Sequence, residues 1–377
     1  MSIHGHCDER FEPVREAFAA NFEERGDVGA SVCVTLEGEP VVDLWGGEAV
    51  KGGAPWEEDT IINVYSTTKT MASLCLLLLA DRGEIAWDAP VARYWPGFEQ
   101  NGKAGVLVRH VMSHTAGLSG FDPAIPVEAL YDWEGIAAHV AAQAPWWEPG
   151  TRSGYHAVTQ GVLQGEIVRQ VTGRSIGTFF REEVALPLGA DFHIGLDPQH
   201  DARVAELIPP GKALFTEESP SVGEFSVRTM SSCDMTGEEP KTPEWRRAEI
   251  PAAGGTSNAR GVGRVHSLLA CGGEVDGVRL LSQAGTDVIF EEQVSGKDEV
   301  LGVPLRFGMG FGLKSEMFPL GPNEKVCFWG GWGGSLAVID ADAKLTVSYV
   351  MNRMEPDLLG DLRGGLLVFA AYQALAG

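Results

Sequence analysis

The chain holds no C-x-x-C pair, no H-E-x-x-H motif and no apolar run that approaches the length of a membrane span. Its six cysteines (Cys7, Cys33, Cys75, Cys233, Cys271 and Cys327) are scattered. Scatter of that kind argues against a zinc site or a disulfide framework and fits free thiols in a reducing cytoplasm. His4 and His6 stand on a terminus expected to fray, so no metal is expected. The longest mostly apolar stretch, residues 71–80, is about half of what a bilayer requires and reads as a buried helix. Residues 1–10 lack the basic-then-apolar order of a secretory signal. Basic charge is scarce too: 29 Lys and Arg face 52 Asp and Glu, for a net charge of −23. Nucleic acid and anionic membrane would both be repelled, so neither is expected as a partner. A homo-oligomer stays open.

What is present is an ordinary globular composition, 44% apolar and 21% charged over 377 residues. That length suggests two or three folding units. Phe11, Val14, Phe18 and Phe22 recur at helical spacing, and Gly26 follows as a stop. A hairpin comes next, with strands over 30–36 and 41–45 around a turn at Glu37-Gly38-Glu39-Pro40. The other end mirrors this, with strands over 335–339 and 345–351 and a closing helix over about 356–376. Both ends together predict one antiparallel sheet flanked by N- and C-terminal helices. The middle reads as mainly helical, as over 158–171 and 176–184. Residues 205–245 are rich in Ser, Thr, Pro, Gly and Glu and read as a long loop. The expected layout is a split α/β (α+β) domain, 1–69 with 246–377, and an inserted helical domain, 70–245, with a cleft between them.

Three segments carry chemistry. Ser66-Thr67-Thr68-Lys69 is the only S-x-x-K in the chain, and it opens the apolar helix. Ser66 would sit at a helix start, where free amides favour negative charge. Lys69, three residues on, projects from nearly the same face. A buried lysine with a lowered pKa can take a serine proton, alone or with a tyrosine. Tyr155 follows a Pro/Gly-bounded loop and precedes a helix, a placement that aims a phenol into a cleft. Beside an ammonium it could ionise and serve as a base. Finally, Trp329-Gly330-Gly331-Trp332-Gly333-Gly334-Ser335 puts four glycines on a β segment, which permits close backbone approach and can expose an oxyanion-binding N–H.

In this order the segments resemble the serine β-lactamase and penicillin-binding superfamily, whose related motifs are S-x-x-K and K-T-G. The resemblance is to the class C branch, and within it to the family VIII carboxylesterases. The stretches 108–118, 149–151, 252–257 and 349–353 extend it over most of the chain. It implies a β-lactamase/transpeptidase-like fold, Ser66 as nucleophile, Lys69 and Tyr155 as the base system, and the backbone amides of Ser66 and Trp332 as the oxyanion hole. It also implies substrate contacts from Trp329, Gly330, Gly331, Trp332 and His156, and no cofactor. Two departures matter. Tyr155-His156-Ala157 replaces Tyr-x-Asn, and Trp329-Gly330-Gly331 replaces Lys-Thr-Gly. The cation that would anchor a β-lactam carboxylate is therefore missing, and an indole favours neutral, apolar groups.

The expectation is a serine carboxylesterase acting on short-chain or aryl esters, with weak or no β-lactamase activity. Trp146 or Trp147 would help to line its acyl pocket. An acyltransferase, a D-aminopeptidase or another amide hydrolase would use the same chemistry with a different acceptor. A catalytically silent ligand-binding relative is the reading from another class. Gly173-Arg174-Ser175-Ile176-Gly177 also matches the lipase elbow G-x-S-x-G, but it lies between two helical stretches. There Gly173 suits a helix end and Ser175 an N-cap.

Overall fold

The computed structural model describes residues 2–211 and 223–377. Its strands are β1 (Ile3–Cys7), β2 (Gly29–Leu36), β3 (Glu39–Gly47), β4 (Ile62–Asn63), β5 (Phe192–Ile194), β6 (Gly255–Ser257) and β7 (Glu274–Val275). The remainder are β8 (Val278–Arg279), β9 (Val294–Lys297), β10 (Pro304–Phe307), β11 (Gly312–Leu313), β12 (Val326–Gly330), β13 (Leu336–Asp340) and β14 (Leu345–Met351). Nine of them form one sheet in the order β1-β3-β2-β14-β13-β12-β11-β10-β9, every neighbour antiparallel. The N-terminal and C-terminal strands meet inside it, where β2 pairs with β14.

Local chemistry explains the hairpins. Glu37 and Gly38 both have positive φ, 54° and 94°, as a two-residue loop between twisted strands demands, and glycine supplies the second at no steric cost. β13 and β14 are buried at every position. They are mostly apolar on both faces, with only Asp340, Thr346 and Ser348 polar, because both faces of the sheet are covered. The glycines on the two covering helices show which face each one meets. Gly263, on the helix Ala259–Ala270, lies against Cys33 and Ser348, while Gly364, on the helix Leu362–Ala376, lies against Leu336 and Tyr349. Residues 348 and 349 are neighbours on β14, so the two helices cover opposite faces. The helix Glu12–Glu24 packs beside Leu362–Ala376.

The helix Thr68–Asp81 is buried from Thr68 through Leu79 and packs against the helices Thr159–Thr172 and Ile176–Phe180. Being apolar on nearly all sides, it can only be a central helix. No helix among the described residues is long and apolar enough to cross a membrane.

Three sequence expectations change. The N-terminus is not frayed: β1 pairs with β3 from Ile3 to Cys7. The closing helix begins at Leu362, capped by the Asp361 side chain, because Gly360 takes a left-handed φ of 84° that ends the preceding turn. Within the mainly helical segment 70–245 lies one strand among the described residues, β5, which pairs with β6, itself paired with β4. Of the expected 205–245 loop, residues 212–222 lie outside the described residues. The rest is not one continuous loop, since the helices Glu224–Met230 and Pro243–Arg247 form there.

Candidate active site

β4 runs into a single 3₁₀ turn, Tyr65–Thr67, and then into the helix Thr68–Asp81. Ser66 is the middle residue of that turn. Tyr65 adopts φ +44°, a costly conformation for an aromatic residue that persists only where its surroundings enforce it. They do so here. The Tyr65 ring is buried against Trp332 (5.1 Å) and Trp245 (6.3 Å). Val64 N donates to Gly255 O (2.8 Å), and Ser335 Oγ donates to Val64 O (2.8 Å).

One helical step places Lys69 beside the serine. Lys69 Nζ lies 3.1 Å from Ser66 Oγ, 2.6 Å from Ala157 O and 2.9 Å from Ala252 O. The side chain is buried and hydrogen-bonds no carboxylate among the described residues. Burial therefore pushes its pKa well below the ordinary lysine value. Tyr155 Oη donates to Ser66 Oγ at 2.6 Å, and its ring centroid lies 4.8 Å from Lys69 Nζ. Burial pushes the phenol in the opposite direction, upward. Two groups thus converge on one hydroxyl, a lysine biased toward the neutral amine and a tyrosine biased toward the protonated phenol.

The glycine segment approaches from the other side. A Cβ on Gly331 would fall 2.3 Å from Val64 O and 3.2 Å from Ser66 N, so only glycine lets the end of β12 lie on the serine turn. The next amide is that of Trp332. Neither the Ser66 nor the Trp332 N–H has a hydrogen-bond acceptor among the described residues. Two unsatisfied donors beside a serine hydroxyl are what an oxyanion requires. Gly333 O behind them accepts from the buried Arg363 guanidinium (2.7 Å), which is paired with Asp27 and Asp361.

The family model described as beta-lactamase matches residues 16–370. The chain belongs to the beta-lactamase family. Within this family it is 38% identical to the esterase/beta-lactamase LipL of Mycobacterium tuberculosis over 367 residues, 93% of this chain and 83% of LipL. The crystal structure of a family VIII carboxylesterase is 42% identical with a TM-score of 0.93, and covers 99% of this chain and 100% of its own. That of a penicillin-binding protein homolog from Caulobacter crescentus is 40% identical with a TM-score of 0.92, at the same coverage. The beta-lactamase fold expected from the motifs is the fold observed.

Several residues expected at the substrate are elsewhere. His156 is 0% exposed, and both ring nitrogens are engaged, Nδ1 with Gly154 O (2.7 Å) and Nε2 as acceptor from Leu118 N (3.0 Å). It braces its own loop and does not face a ligand. Trp329 is 2% exposed and packs on Tyr155 (5.4 Å), His114 and Phe307, a wall behind the phenol. Gly330 faces away from the serine, since a Cβ there would strike Leu359 and Gly360. Trp146 stacks with Phe225 under Arg228, and Trp147 meets His156 and Phe225 edge-on. The sequence reading gave no role to His114 or Asp298, which touch the Tyr155 segment from two other parts of the chain.

Ser175 of the G-x-S-x-G match is an N-cap. Its Oγ accepts from Thr178 N and donates to Glu249 Oε1 (2.7 Å), and Gly173 ends the preceding helix at φ 71°. Ser175→Ala is expected to cost about 1–2 kcal/mol of stability while leaving kcat/KM of the folded enzyme unchanged. Urea unfolding and ester assays check this; loss of turnover in stably folded protein would move the nucleophile to Ser175.

Proposed function

We propose that the chain is a serine carboxylesterase that hydrolyses short-chain esters through an acyl-enzyme on Ser66. The observation that carries this is the meeting of Lys69 Nζ and Tyr155 Oη on Ser66 Oγ, at 3.1 and 2.6 Å. A neutral lysine amine has two hydrogens and one lone pair. Ala157 O and Ala252 O accept the two hydrogens, which leaves the lone pair facing the serine hydroxyl. Ser66 attacks the ester carbonyl as its proton passes to Lys69. The amides of Ser66 and Trp332 hold the oxyanion. Tyr155 then gives its hydrogen to the departing alkoxide, and the new lysine ammonium stabilises the phenolate. In deacylation the phenolate takes a proton from the attacking water. Collapse releases Ser66 Oγ, which recovers its proton from Lys69, and every group returns to its starting state.

The walls near the site support the substrate class. Trp332 and Ala157, the latter bonded through its carbonyl to Lys69 Nζ, also line a cavity of about 40 Å³ with Phe121, Val158, Met230 and Met235 and the polar Ser119, Thr229 and Ser232. A space of that size takes a few heavy atoms of an acyl chain and excludes a long one. With Trp329 where the Lys-Thr-Gly pattern has lysine, that position offers no cation to a carboxylate, so β-lactam turnover is weak or absent. The names of LipL and of the family VIII structure support the ester reading.

A nitrophenyl ester series tests it. Acetate and butyrate are expected to be turned over, with kcat/KM falling at least about tenfold by octanoate. A serine-reactive phosphonate is expected to label Ser66 in stoichiometric amount. An enzyme that hydrolyses no ester and takes up no phosphonate at Ser66 would end the proposal.

A further inference from the structure

The phenol of Tyr155 is only as well placed as the backbone that carries it, and that backbone is held from outside its own segment. Three successive amides are engaged. Gly154 N donates to His114 O (3.0 Å), Tyr155 N to Asp298 Oδ1 (3.0 Å) and His156 N to His114 Nδ1 (3.1 Å). His114 sits at φ +59°, a left-handed conformation that presents both its carbonyl and its ring to the same strand of chain. Asp298 comes from the turn that joins β9 to β10, 143 residues further on.

Asp298 is fully buried, its Oδ2 has no hydrogen-bond partner among the described residues, and a buried carboxyl is costly unless its acceptors are filled, so the compensation falls on Oδ1. Here Oδ1 takes three N–H groups, those of Val300 (3.0 Å) and Leu301 (2.9 Å) as well as Tyr155. The two bonds within its own turn fix the carboxyl, so the third transmits a fixed position to Tyr155. A second bond, Glu299 N to Ser153 O (2.9 Å), keeps the turn and the Tyr155 segment from sliding. Hydrophobic packing closes the unit: Val300, Leu301, Leu305, Phe307 and Trp329 cluster around the Tyr155 ring. The acceptor oxygen itself is what the turn and the Tyr155 amide share.

We propose that Asp298 is a positioning residue for catalysis, which through the Tyr155 amide holds the phenol on Ser66 Oγ. The inference rests on the role given to Tyr155 under the proposed function. Proton transfer is steeply sensitive to donor position, and displacement of about 1 Å costs on the order of 10²-fold in rate.

The test is steady-state kinetics on nitrophenyl butyrate with the parent enzyme, Asp298→Asn, Asp298→Ala, Tyr155→Phe and the Tyr155→Phe/Asp298→Ala double variant. Asp298→Ala is expected to lower kcat about 10- to 100-fold with KM within about threefold. Asp298→Asn keeps an acceptor oxygen in place and is expected to recover kcat to within about fivefold of the parent. In the Tyr155→Phe background the alanine substitution is expected to cost less than about threefold, because the clamp acts through the phenol that is already gone. A merely structural aspartate would lower activity equally in both backgrounds. Where Asp298→Ala does not fold, Asp298→Ser, too short to reach Tyr155 N, takes its place with the same expectations. The inference is overturned by an undiminished kcat in Asp298→Ala, by equal losses in both backgrounds, or by an asparagine variant no better than alanine. If Tyr155→Phe matches the parent, the role of Tyr155 and this inference fall together. If Tyr155→Phe is impaired and Asp298→Ala is not, only this inference falls.

Discussion

Ser66→Ala is expected to lower ester turnover by at least about 10⁴-fold, to the residual rate that oxyanion binding alone provides. Alanine removes the hydroxyl on which Lys69 Nζ and Tyr155 Oη converge, and with it the acyl acceptor. The fold is expected to survive. The substitution removes one oxygen and leaves the Tyr155 hydroxyl without its acceptor, a cost of about 1–3 kcal/mol in a family fold with a large core. Mass spectrometry after phosphonate treatment gives the decisive reading: parent enzyme gains one adduct and the alanine variant none. An adduct retained in Ser66→Ala would place the nucleophile elsewhere.

Lys69→Arg is expected to be nearly as damaging, with kcat/KM down by about 10³-fold or more. Arginine keeps the positive charge but does not give up its proton near neutrality, so it separates the two things a lysine could do here. If the role were to hold a charge, arginine would serve; if the role is to accept the serine proton, it fails. The same logic sets the pH profile of the parent enzyme. Activity needs the neutral amine, so kcat/KM is expected to rise with pH along a limb whose midpoint lies below the usual lysine value of about 10.4. The limb does not belong to a histidine near the site. Burial holds His114 well below the normal imidazole range and His156 down at about 3, so both stay neutral over the working range. Folding feels the same lysine. Its folded pKa is depressed, so the unfolded chain binds the additional proton. Lys69's contribution to stability is therefore greatest above the unfolded value and declines as pH falls toward the folded one. An arginine variant with more than a tenth of parental activity would remove Lys69 from the base role.

Much of this was legible in the residues because it is local. The i, i+3 spacing of Ser66 and Lys69 translates directly into 3.1 Å once a helix forms, and the Glu37-Gly38 pair marks its hairpin through turn chemistry alone. The glycines before Trp332 announced a close approach, and Gly331 makes it. What escaped has no local signature. β1 is an edge strand with three exposed residues between the half-buried Ile3 and Cys7, so it shows no alternation and is held mainly by ladder bonds, with Ile3 and Cys7 touching the core and His4 stacked on Trp45. His156 occupies a position where family analogy suggests a ligand contact, yet its two nitrogens are taken by backbone groups that only the tertiary fold brings near. Asp298 sits in an ordinary Lys-Asp-Glu run, and nothing there points to an amide 143 residues away.

The pairing of β2 with β14 has a kinetic consequence. The serine turn is tied to its oxyanion partner by a bond between Ser335 and Val64 that spans 271 positions, and the β2–β14 pair joins the first tenth of the polypeptide to the last. Closing so wide a ring of chain costs entropy before any compensating contact forms, which slows the search. Recovery of hydrolysis after dilution from denaturant is therefore the slow event, trailing the formation of the helices, and the catalyst comes into being only when the last strands reach the first.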